Sequence, residues 1–366
     1  MEALEGGTAR HLVDIATHAD EAQHHVVVPA ARVGGLTDET AVPCLRAAGA
    51  QVHLLRMHRA PWSPVNVLAL RRVRRLLQTV RPDIVHGHSS IGGLLARVAT
   101  IGTDLPVVYT ANGITGVRAG VAVERVLGRR TTRFVATSAS EAELAVQLGL
   151  ASPTQVAVIP NGIELEIPAA PIDLRAVLDV PPEAPLVGTI ARLVPQKAPE
   201  DFVAACAVVA GLVPSVRFVM VGGGEQEALY ESAVDAAGLR GQLHRIPSLA
   251  GAAGVLGQLD VFALSSRFEG GPYAPLEAMR AGTPVVLTDV VGSRDAVEHG
   301  VSGRLVPPGD PLALGQAVAD LLLNPVERRR LGEGGRARVA SQFDVRSMGA
   351  SLTELYGALA EGRPGR

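Results

Sequence analysis

Aromatic residues make up only 3% of this 366-residue chain, with one tryptophan and four tyrosines. Hydrophobic residues still reach 47%, so the cores must be built from Ala, Val and Leu. Cysteine occurs twice, as Cys44 and Cys206. That excludes a disulfide framework and makes a reducing, cytoplasmic compartment the expectation. The longest apolar run, Phe202 to Val213, is shorter than the ~20 residues of a membrane span. It ends at Pro214 and reads as a buried helix. The N-terminus lacks the basic-then-apolar run of a secretory signal. Net charge is −2, which excludes a general nucleic-acid binder. Lysine is almost missing: Lys197 stands alone against 33 arginines. The skew reads as the codon bias of a GC-rich genome, and it singles Lys197 out.

The chain alternates β-branched apolar runs with helical patterns. One series of strands starts near His25, Gln51, Asp83, Pro106, Arg133 and Val156. A second starts near Leu186, Arg217, Gln242, Val261, Pro284 and Gly303. Apolar strands separated by helices predict parallel sheets covered on both faces. A proline-rich break, Pro168 to Pro185, separates the series. The fold class expected is α/β, with two doubly wound Rossmann-like domains over 1–165 and 166–344. Ligands in such sheets bind beyond the carboxyl ends of the strands, so an inter-domain cleft is the expected site. The first domain should open with a strand before Glu5-Gly6-Gly7, yet only Met1 to Leu4 stand there. Either that strand is missing or the numbering starts late.

The most informative stretch is EGGPYAPLE, Glu269 to Glu277. It places two carboxylates eight positions apart around a Gly-Gly-Pro turn, with a helix expected to begin under the second. A strand, Val261 to Leu264, precedes it. Bare amides at a helix N-terminus suit a phosphate. Carboxylates beside a phosphate suit hydroxyls, because an ionised carboxylate only accepts hydrogen bonds. The pattern therefore describes a phosphate flanked by two polyols, as in a nucleotide sugar.

Other strand ends carry polar groups. Arg192 and Lys197 follow the strand at Leu186 and can share one diphosphate, Arg as a fork and Lys as a point charge. A solvated charge pair is the alternative. Gly222 opens a glycine turn that is equally well structural. Gly6-Gly7-Thr8 opens a helix, with Thr8 as a candidate cap and Gly7 as a candidate phosphate contact. His86, His88 and Ser89 end the strand at Asp83. His-x-His raises metal binding, but no further ligands lie nearby in sequence, and recognition of an acceptor sugar is favoured. Asn112 ends the next strand. Arg71, Arg72, Arg74 and Arg75 crowd one amphipathic helix, which suits peripheral contact with an anionic membrane as well as plain solvation.

Taken together, these residues resemble the retaining glycosyltransferases of family 4, with the GT-B fold, and their cell-surface polysaccharide members. The likeness runs through EGGTARHLVDIA, DIVHGHSSIGGLLARVA, PVVYTANG, ATSASEAELA, VAVIPNGIE, ARLVPQK, VMVGGGEQ, SSRFEGGPYAPLEAM and GTPVVLTDVVGSRDAVEHGVSGRLVPPGDP. The resemblance implies an acceptor domain over 1–165, a donor domain over 166–344, and a C-terminal helix, 345–366, packing back on the first. Arg192 and Lys197 would hold the donor diphosphate. Glu269, Gly270 and Gly271 would hold the sugar, and Glu277 the ribose. The main chain at Tyr273, Ala274, Pro275, Leu276 and Gly7 would complete the phosphate site, with Ser248 and Leu249 at the nucleobase. The acceptor side would comprise His86, His88, Ser89 and Asn112. Many members carry histidine at the Asn112 position; asparagine excludes a histidine base there. The resemblance implies metal-independent transfer with no cofactor beyond the nucleotide-sugar substrate. It points to a glycan or lipid-linked acceptor, no nucleic-acid partner, and a place in the cytoplasm or at the inner face of the plasma membrane. The alternatives are a nucleotide-sugar 2-epimerase on the same fold and a non-catalytic nucleotide-sugar binder.

Overall fold

The computed structural model describes residues 6–19, 21–30, 41–58, 60–114 and 118–362. Met1 to Leu4, where the opening strand is expected to be missing or cut short, lie outside them. The chain divides into two units, Met1–Gly162 with Val345–Arg366, and Ile163–Asp344.

In unit 1 the described elements run α1 (Gly7–His18), β1 (His25–Pro29), α2 (Ala41–Ala47), β2 (Gln51–Leu55), α3 (Pro64–Val80) and β3 (Val85–His88). They continue with α4 (Ser89–Ala99), β4 (Val107–Thr110), α5 (Arg118–Gly128), β5 (Arg133–Ala136), α6 (Ala139–Gln147) and β6 (Val156–Val158). β1 pairs in parallel with β2, and a separate parallel sheet has the order β3-β4-β5-β6. Val108, Phe134 and Val135 are wholly buried in its centre. Arg97 of α4 is also buried. It grips Glu124 of α5 at 2.8 and 3.1 Å, and its guanidinium lies 3.8 Å over the Tyr109 ring. The ion pair and the cation–π contact thus tie α4 and α5 to β4.

In unit 2 the elements begin α7 (Leu174–Val177), β7 (Leu186–Ile190), α8 (Pro199–Leu212), β8 (Arg217–Val221), α9 (Glu227–Ala236) and β9 (Leu243–Ile246). They continue β10 (Val261–Leu264), α10 (Tyr273–Arg280), β11 (Val285–Thr288), α11 (Ser293–Ala296), β12 (Arg304–Val306), α12 (Pro311–Leu323) and α13 (Pro325–Gln342). The six strands form one parallel sheet, β12-β11-β10-β7-β8-β9. That is the doubly wound order, with its reversal between β7 and β10. Buried residues such as Phe218, Met220 and Val261 face one apolar cluster, while Phe262, Leu264 and Leu287 face the other. Such two-sided burial is why these strands read as continuous apolar runs. Helix starts are set locally: Asp310 caps Ala313 N and Asn324 caps Glu327 N, each followed by proline at the first helical position.

The last helix, α14 (Val345–Glu361), returns to unit 1. Its Val345, Met348 and Leu352 pack with Ile15 and Ala19 at α1. Among the described residues no helix is long and apolar enough to cross a membrane.

Candidate functional site

In unit 2 the loops leaving β7 and β10 meet where the strand order reverses. Arg267 N donates to Gln196 O at 2.8 Å, and Gln196 Nε2 donates to Phe268 O at 3.0 Å. Ser265 Oγ donates to the carbonyls of Lys197 and Ala198 at 2.9 and 3.0 Å. Ala198 sits in the left-handed region, φ 45°, which costs a non-glycine residue roughly 1–2 kcal/mol. These hydrogen bonds hold it there. The outcome is a defined contact: Lys197 Nζ donates to Glu269 Oε1 at 2.5 Å, and Ser266 Oγ donates to the same oxygen at 2.5 Å. The Lys197 and Glu269 side chains are only 16% and 6% exposed.

Arg192, on the same turn as Lys197, differs. It is half-buried, and its guanidinium makes no hydrogen bond or ion pair with any described residue. The reversal point therefore holds one committed cation and one available cation. Beside them, α10 begins at Tyr273 after Pro272. Its first turn, Tyr273, Ala274, Pro275 and Leu276, brings the positive end of a helix dipole. Glu277 is buried one turn inside the helix. The expectation that the helix begins under Glu277 is corrected: Pro272 presets the backbone, so the helix starts earlier.

Two glycines allow close approach. A Cβ on Gly292 (φ 82°) would lie 2.2 Å from Gly270 O, so only glycine lets the turn after β11 seat against the main chain of Glu269 and Gly270. A Cβ on Gly222 (φ 144°) would lie 2.0 Å from Ala191 O, which gives Gly222 a packing duty. Ser248, after β9, is exposed and Leu249 is half-buried.

In unit 1 the expected acceptor-side residues lie at the carboxyl ends of the paired strands β3 and β4. His86 accepts or donates at both ring nitrogens, to Tyr356 Oη at 2.7 Å and Thr110 Oγ1 at 2.8 Å. Both nitrogens are thus engaged, which weighs against the His-x-His metal reading. The His88 ring lies 4.0 Å from that of His86 and 5.4 Å, edge-on, from that of His11. Burial holds all three imidazoles neutral. It takes His11 down to about 4, partly offset by a hydrogen bond with Asn161. It takes His86 down to about 3, with His11 adding to the effect. His88 is lowered by burial and then by both neighbours. Gly7 opens α1, where Gly6 (φ 76°) is the cap residue. Thr8 lies inside the helix and meets Ser89 Oγ at 3.3 Å, so the expected Thr8 cap is corrected. Ser89 and Asn112 both adopt positive φ, 55° and 56°.

Several of these partners gave no signal in the sequence. His11, Thr110 and Tyr356 come from three distant segments, and no local spacing joins them. Ser265 and Ser266 lay within a noted motif but carried no role.

Comparison with known proteins places this geometry. The profile of Glycosyltransferase Family 4 matches residues 5–167, and that of Glycosyl transferases group 1 matches residues 172–338. The D-inositol 3-phosphate glycosyltransferase of Saccharomonospora viridis is 30% identical over 301 residues, 75% of this chain and 69% of the relative. The UDP-Gal:alpha-D-GlcNAc-diphosphoundecaprenol alpha-1,3-galactosyltransferase of Escherichia coli is 29% identical over 303 residues, 77% of each chain. Anabaena HepE, solved with UDP and glucose, superposes with a TM-score of 0.83 at 22% identity, covering 96% of both chains. That structural likeness speaks for the fold. With the two profiles together spanning most of the chain and a 30% identical relative covered over 69% of its length, the chain belongs to the family 4 glycosyltransferases, enzymes of the GT-B fold that transfer a sugar from a nucleotide-sugar donor.

Proposed function

We propose that the chain transfers its sugar with retention of configuration, without a metal, to a lipid-linked glycan. The observation that carries the donor side is the available Arg192 guanidinium beside the Lys197–Glu269 pair. Arg192 and Lys197 bind the donor diphosphate and supply the positive charge that a divalent cation would otherwise bring. Glu269 and the Gly270 and Gly271 amides bind the sugar, and Glu277 binds the ribose hydroxyls. The first turn of α10 completes the phosphate contacts, and Ser248 and Leu249 meet the nucleobase. His86, His88, Ser89 and Asn112 form the acceptor side. In the reaction the acceptor oxygen bonds to the anomeric carbon on the face the diphosphate leaves. The C–O bond to phosphate breaks, its electron pair goes to the phosphate oxygen, and that oxygen takes the acceptor proton. Asn112 needs no proton of its own in this scheme.

The lipid-linked acceptor is supported by the diphosphoundecaprenol-linked acceptor of the Escherichia coli relative and by α3. Trp62, just before α3, is 85% exposed; Val67 and Leu68 are also exposed, and Arg71, Arg72 and Arg75 continue the same face. Apolar groups followed by cations along one helix face suit the headgroup boundary of an anionic leaflet. That face supports the reading of a peripheral enzyme at the inner face of the plasma membrane. The reading is tested by a thermal-shift panel of nucleotide sugars, since a bound donor stabilises by mass action. Transfer from the stabilising donor to GlcNAc-diphosphoundecaprenol is then followed by NMR of the new anomeric centre, with and without a chelator. An inverted product, or activity lost on chelation, contradicts it.

A further inference from the structure

After β4 the chain turns through Ala111, Asn112 and Gly113, with φ of 56° at Asn112 and 110° at Gly113. Glycine takes a positive φ freely, but at Asn112 that conformation is held by its surroundings. Glu141 of α6 supplies the restraint. Its side chain is wholly buried, and Ser138, the cap of α6, accepts from Glu141 N at 3.1 Å. In a capping box the glutamate carboxylate would return to the amide of the cap residue. Here it goes elsewhere. Oε2 accepts from Thr137 N at 2.7 Å and Thr137 Oγ1 at 2.9 Å. Oε1 accepts from Gly113 N at 2.7 Å, across 28 residues of chain. One buried carboxylate therefore fixes both its own helix start and the turn that carries Asn112.

The Asn112 side chain makes that restraint matter. Its Nδ2 is buried and has no hydrogen-bond partner among the described residues. A buried donor left unmatched is costly, and an oxygen brought in by substrate would satisfy it. We propose that Glu141 is a positioning residue for glycosyl transfer: by holding the Gly113 amide it sets the aim of the Asn112 amide at the acceptor. This rests on the reading that Asn112 belongs to the acceptor side. Misplacing a reacting group by ~1 Å can cost about 10²-fold, so a loosened turn should be felt in turnover.

Glu141→Asp separates the two duties. The side chain, one methylene shorter, keeps Thr137 within reach in its own helical turn but cannot span to Gly113. Transfer is measured from the donor selected by thermal shift to GlcNAc-diphosphoundecaprenol, with Asn112→Ala and the double variant alongside. The expected result is a modest fall in the thermal midpoint from the unmatched Gly113 amide, a kcat lowered at least about tenfold, and a donor KM within about twofold. The double variant should be no slower than Asn112→Ala alone, because Glu141 acts through Asn112. Glu141→Gln, which keeps the length but presents an N–H to one of these donors, should fall in kcat as well. Unchanged kcat in Glu141→Asp, or losses that multiply in the double variant while Asn112→Ala alone is slow, overturns the positioning role and leaves Asn112 in place. Full transfer by Asn112→Ala removes Asn112 from the acceptor side, and the positioning role falls with it.

Discussion

Acidification should unfold unit 1 through its neutral histidines. In the folded chain His11 titrates at about 4 and His86 at about 3, against 6.5 for an ordinary histidine. Below 6.5 the unfolded chain binds protons that the folded chain refuses, so stability present at neutral pH is lost as pH falls from 6.5 towards those values. At pH 5 the unfolded side chains are 1.5 pH units below their midpoint. Each then gains about 2 kcal/mol from protonation at 1.36 kcal/mol per unit. Because both folded values lie below 5, that figure is set by the unfolded midpoint and not by the depth of the shift. His11 and His86 together remove about 4 kcal/mol, a large share of a typical ~5–15 kcal/mol. His88, lowered by the same burial, adds in the same direction. Urea melts at pH 7.5 and 5.0 measure the loss, and the Cε1 proton shifts of the imidazoles report the titration. A change below about 1 kcal/mol, or His11 and His86 midpoints near 6.5, would refute the reasoning.

Other outcomes follow from the donor loops. Lys197→Ala leaves the buried Glu269 carboxylate without its cation, so unit 2 should lose about 3 kcal/mol and turnover should fall roughly 10²–10³-fold. Adding Glu269→Gln should return the stability but not the turnover, read by urea melts and transfer rates. Gly292→Ala places a Cβ 2.2 Å from Gly270 O at φ 82°. It should cost over about 1 kcal/mol and weaken donor binding in calorimetry, whereas an alanine in open space would do neither. Replacing Trp62 and Leu68 with serine should reduce co-sedimentation with anionic vesicles while leaving donor affinity unchanged.

Much of unit 2 was legible because its strands are buried on both faces. Val261 to Leu264 and Val285 to Leu287 read as unbroken apolar runs, and the polar loops between them mark the strand ends. The chain's single lysine and the EGGPYAPLE stretch pointed to the pair that the fold brings to 2.5 Å. Local chemistry misled at the helix starts. Thr8 has a capping residue's chemistry, but Gly6 takes the cap with positive φ, and Pro272 starts α10 ahead of Glu277. The histidine cluster was illegible because α1, β3 and α14 meet only in three dimensions. Glu141 shows a related limit. Its sequence pattern specifies a capping box, and the tertiary pull of Gly113 N redirects its carboxylate.

The donor reading rests on Arg192, whose guanidinium is proposed to bind the diphosphate at the sheet reversal. The direct measurement is calorimetric titration of the thermal-shift-selected nucleotide sugar into the unmodified chain and into Arg192→Ala. Loss of a charged hydrogen-bond partner should cost about 2–5 kcal/mol, weakening affinity roughly 30-fold or more. Equal affinity of the two proteins would contradict the account.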